Sequence, residues 1–181
     1  MRPVRLLSRR GFVAGLVGAL PVLAIPRALW ALPTGARALN FIHTHTGERL
    51  SVEYFDRGGY LPDALTTVNH FLRDFRTGDV HAIDPDLLDL LHHLTHLTGS
   101  VRPFQVISGY RSRATNEMLR HRSEGVASGS LHMQGQAIDI RLADVPLGAL
   151  RDAALATRRG GVGYYPASDF VHVDTGRVRA W

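Results

Sequence analysis

The chain has 181 residues, of which 45% are hydrophobic and 20% are charged, which is typical of one globular domain and excludes a disordered chain or a protein with many membrane spans. It contains no cysteine, so disulfides, thiolate zinc sites and cysteine nucleophiles are excluded, and His, Asp and Glu remain as metal ligands. All 21 basic residues are arginine, and 16 of them balance the 16 acidic residues once the first 31 residues are set aside, so the charge gives no indication of a nucleic-acid-binding surface.

The first 38 residues have the pattern of an export signal. A basic segment, Met1–Arg10, is followed by a weakly hydrophobic segment, Gly11–Ile25, as in bacterial signal peptides. At their junction, Ser8–Val13 reads Ser-Arg-Arg-Gly-Phe-Val and resembles the motif recognised by the twin-arginine (Tat) translocon. The apolar segment of about 15 residues is shorter than the ~20 that span a bilayer. We therefore expect cleavage between Ala31 and Ala38 and a periplasmic protein exported in the folded state, with an uncleaved membrane anchor as the alternative.

Residues 39–181 are predicted to form one domain of the α+β class. Short apolar or alternating runs predict strands, and apolar residues that recur every three or four positions predict helices. The pair Asp84-Pro85 predicts the start of one helix and Gly99 its end. We expect a small antiparallel sheet packed against helices. The predicted strands are 39–42, 50–55, 104–108, 136–142, 161–165 and 170–174, and the predicted helices are 62–75, 85–97, 113–120 and 146–157.

Two segments of this domain contain side chains suited to metal chemistry, Ser130–Asp139 and Asp169–Asp174. Alternate side chains of a strand share a face, so Asp139 is expected to point away from its aliphatic neighbours. If the two strands are adjacent, His172 converges with Asp139, and His132, on the loop that enters the first strand, closes over them. Two imidazoles and one carboxylate leave a fourth position for water, which is the arrangement of a catalytic zinc site.

Hydrolysis at such a site also needs a base and a cation. Asp169 is the candidate base, and Asp174 is its rival. Strict alternation places Asp169 on the wrong face, so its assignment requires a turn or bulge at Ser168-Asp169. Arg111 is the candidate cation for the oxygen that becomes negative in the transition state.

The spacing Ser-x-His-x-x-Gly-x-Ala-x-Asp at 130–139, with Asp-x-x-His at 169–172, resembles the zinc site of the D-Ala-D-Ala metallopeptidase superfamily. That superfamily includes vancomycin-resistance D,D-dipeptidases and phage L-alanyl-D-glutamate peptidases. The resemblance implies that Asp169 is the general base, with Asp in place of the Glu of many relatives, as in the phage peptidases. The zinc ligands that it implies are His132, Asp139 and His172.

Two further segments, Phe104–Ser112 and Gly160–Tyr165, resemble the YcbK-like branch of this superfamily. The branch implies murein D,D-endopeptidase activity on peptidoglycan crosslinks. It also implies that Arg111 binds substrate or the developing oxyanion, and Ser130 is a second candidate substrate-binding residue. The predicted function is therefore zinc-dependent hydrolysis of peptidoglycan stem peptides in cell-wall remodelling.

Two other functions remain open, a zinc D,D-carboxypeptidase that acts on stem peptides and a non-catalytic cell-wall-binding module of the same fold. His92 and His96 have the spacing of a helical zinc site, but His93 stands where that motif requires its glutamate base, so we do not expect a metal there. Trp30 lies in the leader and Trp181 is terminal in the sequence, so neither is expected to form an aromatic platform for carbohydrate.

Overall fold

The computed structural model describes residues 35–122 and 127–181. Within these ranges the chain forms four α-helices, two short 3₁₀ helices and one eight-stranded sheet. The strands are β1 (Arg37–His43), β2 (Arg49–Asp56), β3 (Gly59–Tyr60), β4 (Phe104–Ser108), β5 (Ala137–Arg141), β6 (Gly161–Tyr165), β7 (Phe170–Asp174) and β8 (Arg179–Ala180). The α-helices are α1 (Pro62–Phe71), α2 (Pro85–Thr98), α3 (Arg113–Arg122) and α4 (Leu147–Thr157), and the 3₁₀ helices are Leu131–Gln134 and Pro166–Ser168.

The α+β class is confirmed, but the expectation of a small antiparallel sheet is wrong. The strand order is β3-β2-β1-β4-β5-β7-β6-β8, and the β1–β4 and β6–β8 pairs are parallel. Parallel neighbours require a crossover. Helices α1 and α2 form this crossover, because they lie in the chain between the β1–β2 hairpin and β4. The sheet is therefore mixed.

The boundaries of the first two helices show where local signals succeed and where they fail. Helix α2 begins as predicted, because the Asp84 carboxylate accepts the backbone N–H of Asp86 at 3.0 Å, and it ends at Gly99, whose φ is 65°. Helix α1 ends at Phe71, although apolar residues at helical spacing continue to Phe75. The carbonyl of Leu72 instead accepts the N–H of Tyr110 at 2.8 Å, so a tertiary hydrogen bond replaces the next helical one.

The hydrophobic core lies on one face of the central strands. Ile138 and Ile140 of β5 are paired in register with Val173 and Val171 of β7, and all four side chains are fully buried. The leucine stripe of α2 and Leu150 of α4 belong to the same buried cluster. The odd-numbered residues of β5 therefore face the opposite side of the sheet, where polar groups collect.

The predicted twin-arginine motif, Ser8–Val13, lies outside the described residues. Among the helices of the described ranges, none is both long enough and apolar enough to cross a membrane.

Candidate metal centre

The sheet register brings two of the predicted ligands together. Strands β5 and β7 are antiparallel neighbours, and Asp139 is directly opposite His172. Both side chains lie on the face that the aliphatic residues of these strands leave free, and both are buried. The expectation that these two side chains converge is confirmed.

The third predicted ligand, His132, lies on the 3₁₀ helix that precedes β5. Two backbone contacts fix this helix, since the His132 carbonyl accepts the N–H of Arg111 at 3.2 Å and the Gly135 carbonyl accepts the N–H of Asp84 at 3.0 Å. Gly135 has a φ of 67°, and a Cβ there would lie 2.1 Å from the Ala82 carbonyl oxygen. Only glycine satisfies both the left-handed backbone and this close approach.

The three side chains surround one small volume. The Nε2 of His132 and the Nδ1 of His172 are 3.2 Å apart, and Oδ1 of Asp139 lies 3.3 and 2.9 Å from these nitrogens. Tetrahedral donors at zinc bond lengths are separated by about 3.3 Å, so the donor set and its spacing fit a divalent metal. Among the residues that the structure describes, this is the only group of three or more such side chains placed to hold a metal ion.

The outer nitrogen of each imidazole is held by a hydrogen-bond acceptor. The Nδ1–H of His132 donates to the Gly109 carbonyl at 2.8 Å, and the Nε2–H of His172 donates to the Asp174 carboxylate at 3.0 Å. Such acceptors fix the tautomer and the ring orientation of metal-binding histidines. The inner nitrogens are therefore the ones available for a metal.

The three groups lie close enough to shift one another's pKa values. Burial lowers the pKa of His132, which favours its neutral form. Burial opposes ionisation of Asp139, but the adjacent His132 and His172 outweigh it and hold the pKa of the carboxyl below its usual range. Burial likewise opposes charge on His172, but its hydrogen bonds to Asp139 and Asp174 outweigh it and raise the pKa of the imidazole.

Asp174 lies beyond His172 and is held by several hydrogen-bond donors. Its carboxylate is fully buried and accepts the backbone N–H groups of Gly161 and Gly176, each at 2.9 Å. Arg179 adds two hydrogen bonds of 3.1 and 2.7 Å. Burial acts against ionisation, but these donors and His172 hold the pKa of Asp174 below its usual range. The sequence analysis missed Arg179, for which no motif or spacing gave a signal.

The metal centre opens into a cavity of about 420 Å³. Arg111 and Ser130, the two predicted substrate-binding residues, both line it. The Nη2 of Arg111 lies 3.6 Å from Oδ2 of Asp139. Its Nε is one of two buried side-chain nitrogen or oxygen atoms within residues 35–122 and 127–181 that have no hydrogen-bond partner. The cavity is therefore bordered by a largely buried cation next to Asp139.

Asp169, the predicted base, lies at the turn between the second 3₁₀ helix and β7. Its φ of 54° is left-handed, so the chain does turn at the position where the sequence analysis required it. Its neighbours Ser168 and Phe170 line the cavity, while its own carboxylate is 64% exposed and accepts a 2.7 Å hydrogen bond from Arg141. Arg141 is two residues after Asp139 on β5, so it lies on the same face of the sheet.

Trp181, which the sequence analysis did not expect to form a carbohydrate platform, lies beside the candidate metal centre. The residue lines the cavity, and its indole centroid is 5.2 Å from that of the His172 ring. Tyr165 and Phe170, whose rings stack at 4.6 Å, line the cavity as well. The place of Trp181 depends on the pairing of β8 with β6. Its position at the end of the sequence gives no indication of this pairing.

Comparison with known proteins finds a family model, curated relatives and a solved structure that this chain is similar to. Residues 32–181 match the family model Peptidase_M15_2, described as peptidoglycan L,D-endopeptidase MepK. The chain is 50% identical over 145 residues to the peptidoglycan L,D-endopeptidase MepK of Escherichia coli strain K12, a match that covers 80% of each chain. It is 43% identical over 166 residues to the probable peptidoglycan L,D-endopeptidase MepK of Haemophilus influenzae, covering 90% of this chain and 89% of the relative. A solved structure, the L-Ala D-Glu endopeptidase ChiX of Serratia marcescens, matches at 20% identity with a TM-score of 0.36 and covers 53% of this chain and 69% of that one.

Proposed function

The chain belongs to the Peptidase_M15_2 family of peptidoglycan L,D-endopeptidase MepK, and on that premise we propose that it is a zinc-dependent hydrolase of L,D peptide crosslinks in peptidoglycan. The observation that carries the proposal is the convergence of His132, Asp139 and His172 at the base of an open cavity. The sequence analysis favoured a D,D crosslink, whereas the relatives are named for an L,D bond. The D,D-endopeptidase and the D,D-carboxypeptidase are therefore the alternatives to be separated by experiment.

The metal would be held by His132, Asp139 and His172, with the outer nitrogens of the imidazoles fixed by Gly109 and Asp174. When bound, zinc supplies Lewis-acid activation of water and of the scissile carbonyl. The donor set of two neutral imidazoles and one carboxylate, without thiolate, is one that catalytic zinc sites use.

Arg111 is the group that would stabilise negative charge on the carbonyl oxygen of the substrate. Its side chain is only 11% exposed, and burial lowers the pKa of the guanidinium, although an arginine still remains protonated at neutral pH. A fixed cation in a cavity of low polarity stabilises developing charge more strongly than one in water. Its Nη2 lies 3.6 Å from Oδ2 of Asp139, so the guanidinium is placed beside the candidate metal ligands.

Asp169 is the proposed proton acceptor. Its carboxylate is accessible and lies on the metal-bearing face beside Arg141, and it precedes a cavity-lining residue, Phe170. To reach the water that attacks the amide, the Asp169 side chain must break its hydrogen bond to Arg141 when the substrate binds. Asp174 is the weaker candidate, since its oxygens are already occupied by five donors from four residues.

A peptidoglycan hydrolase acts outside the cytoplasm, and the leader supports export to the periplasm by the Tat translocon. Peptidoglycan stem peptides are the proposed substrates. A catalytically silent binding module of the same fold is the second candidate function, and Asp169, whose loss would favour that module, is present.

The test is digestion of purified muropeptide dimers of known linkage by the metal-loaded protein. One dimer is joined by an L,D crosslink and the other by a D,D crosslink, and products are identified by mass. We expect the L,D dimer to be cleaved into monomers. Chelation of the metal should abolish this cleavage, and added zinc should restore it. Cleavage of the D,D dimer alone would support the sequence-based alternative, and release of a terminal D-amino acid would identify a carboxypeptidase. Binding to sacculi without any product would favour the silent module.

A further inference from the structure

Trp181 lies beside the metal centre because of a row of residues that crosses neighbouring strands. His172 of β7 is opposite Gly163 of β6. The Trp181 backbone continues this row after β8, since its N–H donates to the Val162 carbonyl at 3.2 Å and its carbonyl accepts the N–H of Tyr164 at 3.0 Å. The tryptophan is thus held by the backbone next to Gly163, one strand away from the metal-binding imidazole.

Gly163 is the reason that the indole reaches His172 across the intervening strand. A Cβ at this position would lie 2.8 Å from ring atoms of both Trp181 and Tyr165, which is closer than carbon atoms approach in contact. Any side chain there would displace the indole. The 5.2 Å separation between the centroids of the Trp181 and His172 rings therefore depends on a glycine.

The indole is held in place yet remains half exposed. Its Nε1–H donates to the Tyr165 hydroxyl at 2.7 Å, and the Arg179 guanidinium lies 4.8 Å from its centroid. Arg179 is in turn fixed by Asp174. Nevertheless 51% of Trp181 is exposed, so this ring does not serve to fill the core. A rigid, solvent-exposed aromatic ring at the edge of a cavity is suited to contact with a ligand.

The sheet order gives the cavity two chemically different flanks. Arg111 follows β4, while Trp181 follows β8, and the ligand-bearing strands β5 and β7 lie between them. Both residues line the same cavity. A peptide with its scissile amide at the metal ligands extends toward the cation on one side and toward the indole on the other.

We propose that Trp181 is a specificity-determining residue that packs against the aliphatic part of the stem-peptide residue next to the scissile amide. The inference rests on the proposed peptidoglycan endopeptidase activity. An extended chain advances about 3.3–3.6 Å per residue, and the indole is 5.2 Å from a metal-binding ring. The group that contacts it therefore belongs to the residue adjoining the cleaved bond, and the glycan lies too far along the stem.

The kinetic test compares the full metal-loaded chain with Trp181→Ala and Trp181→Phe on the muropeptide dimer that the wild type cleaves. Removal of an aromatic contact is expected to raise KM about 5- to 10-fold in Trp181→Ala, with kcat and metal content within about twofold of wild type. Trp181→Phe keeps an aromatic ring, so its KM should lie close to the wild-type value. Tyr60→Ala is the matched control, since Tyr60 is a partly exposed aromatic residue at the opposite edge of the sheet, and its KM should stay at the wild-type value.

A second measurement does not depend on the folding of the alanine variant. Trp30 and Trp181 are the two tryptophans of the chain, so Trp30→Phe leaves Trp181 as the single tryptophan fluorophore. Rapid mixing of this protein with the dimer, before turnover, should change its emission with a half-saturation near KM. Unchanged emission, or a wild-type KM in Trp181→Ala, would overturn the inference. Failure of the wild type to cleave any dimer would instead overturn the proposed function.

Discussion

The two imidazoles of the metal centre present different nitrogens to Asp139. His132 offers Nε2 because its Nδ1–H is donated to the Gly109 carbonyl, and His172 offers Nδ1 because its Nε2–H is donated to Asp174. One acceptor is a backbone group and the other is a buried carboxylate. The sequence motif contains the candidate ligands, but the acceptors that orient them come from the residue after β4 and from the end of β7.

The ligand assignment predicts loss of metal when either histidine is replaced. His132→Ala and His172→Ala each remove one of three protein ligands, so metal affinity should fall more than the ~10- to 100-fold that loss of an orienting partner costs. Metal content by elemental analysis and activity are the measurements. His96→Ala is the control, because its exposed imidazole pairs only with His92, and it should retain one metal ion per chain. Full metal content in the double mutant His132→Ala/His172→Ala would refute the assignment.

The two candidate bases should separate in a paired experiment. Asp169→Asn removes no ligand, so it should keep the metal while turnover falls by a factor of ~10² to 10⁴. Asp174→Asn should cost ~10- to 100-fold in metal affinity or activity, because it removes the acceptor that orients His172.

Asp152→Asn is the matched control for Asp169, since both carboxylates are 64% exposed and both pair with an arginine at 2.7 Å. This control should leave turnover unchanged. A metal-replete but inactive Asp174→Asn protein beside a fully active Asp169→Asn protein would reverse the two roles.

At the scale of elements, the antiparallel pairing of β5 with β7 produces both the core and the metal centre. One face of this pair contributes Ile138 and Val173 to the core, and the other contributes Asp139 and His172 to the site. A shift of one residue in register would exchange the two faces. The aliphatic packing therefore fixes the alignment of the ligands.

The last residue of β1 is a buried histidine with a predictable effect on acid stability. His43 is 1% exposed, its ring lies edge-on to those of Phe71 and Phe75, and its Nδ1 accepts the N–H of His45 at 3.2 Å. Burial, and then the charge of nearby His45, lower the pKa of His43 from 6.5 to about 4. The unfolded chain therefore binds the proton more tightly than the folded one.

It follows that stability is lost as the pH falls through the window between 6.5 and about 4. His43→Asn keeps an acceptor for His45 and removes the titration, so its free energy of unfolding should fall less over this window. The difference should be about 3 kcal/mol, the free energy of roughly 2.5 pKa units. Chemical denaturation of both metal-free proteins at pH 7 and pH 4 is the measurement, and equal pH dependence of the two would contradict the prediction.

At the scale of the whole molecule, the start of the sheet bears on where the predicted leader would be cleaved. Strand β1 begins at Arg37, whose guanidinium lies 2.6 Å from Asp89 of α2. Cleavage before Arg37 preserves the strand and this ion pair. Within the expected region, Ala31 to Ala38, we therefore favour a site on the N-terminal side of Arg37.

The leader predicts the export route. Replacement of both Arg9 and Arg10 by lysine should block export, because the translocon reads the paired arginines. Periplasmic and cytoplasmic fractions are compared for the double mutant and for Arg2→Lys, a control outside the motif that should be exported normally. Undiminished periplasmic protein in the double mutant would indicate the general secretory route instead.

The sequence by itself indicated the family, the α+β class, most strands and helices, and the candidate ligands His132, Asp139 and His172. The spacing and the alternation of these residues are local properties of the chain, so they can be recognised without knowledge of the fold. The tertiary structure decided the mixed sheet, the contacts of Asp174 and the place of Trp181 beside the candidate metal centre. Each of these depends on which distant strands become neighbours, and strand pairing is selected by the burial of the whole core.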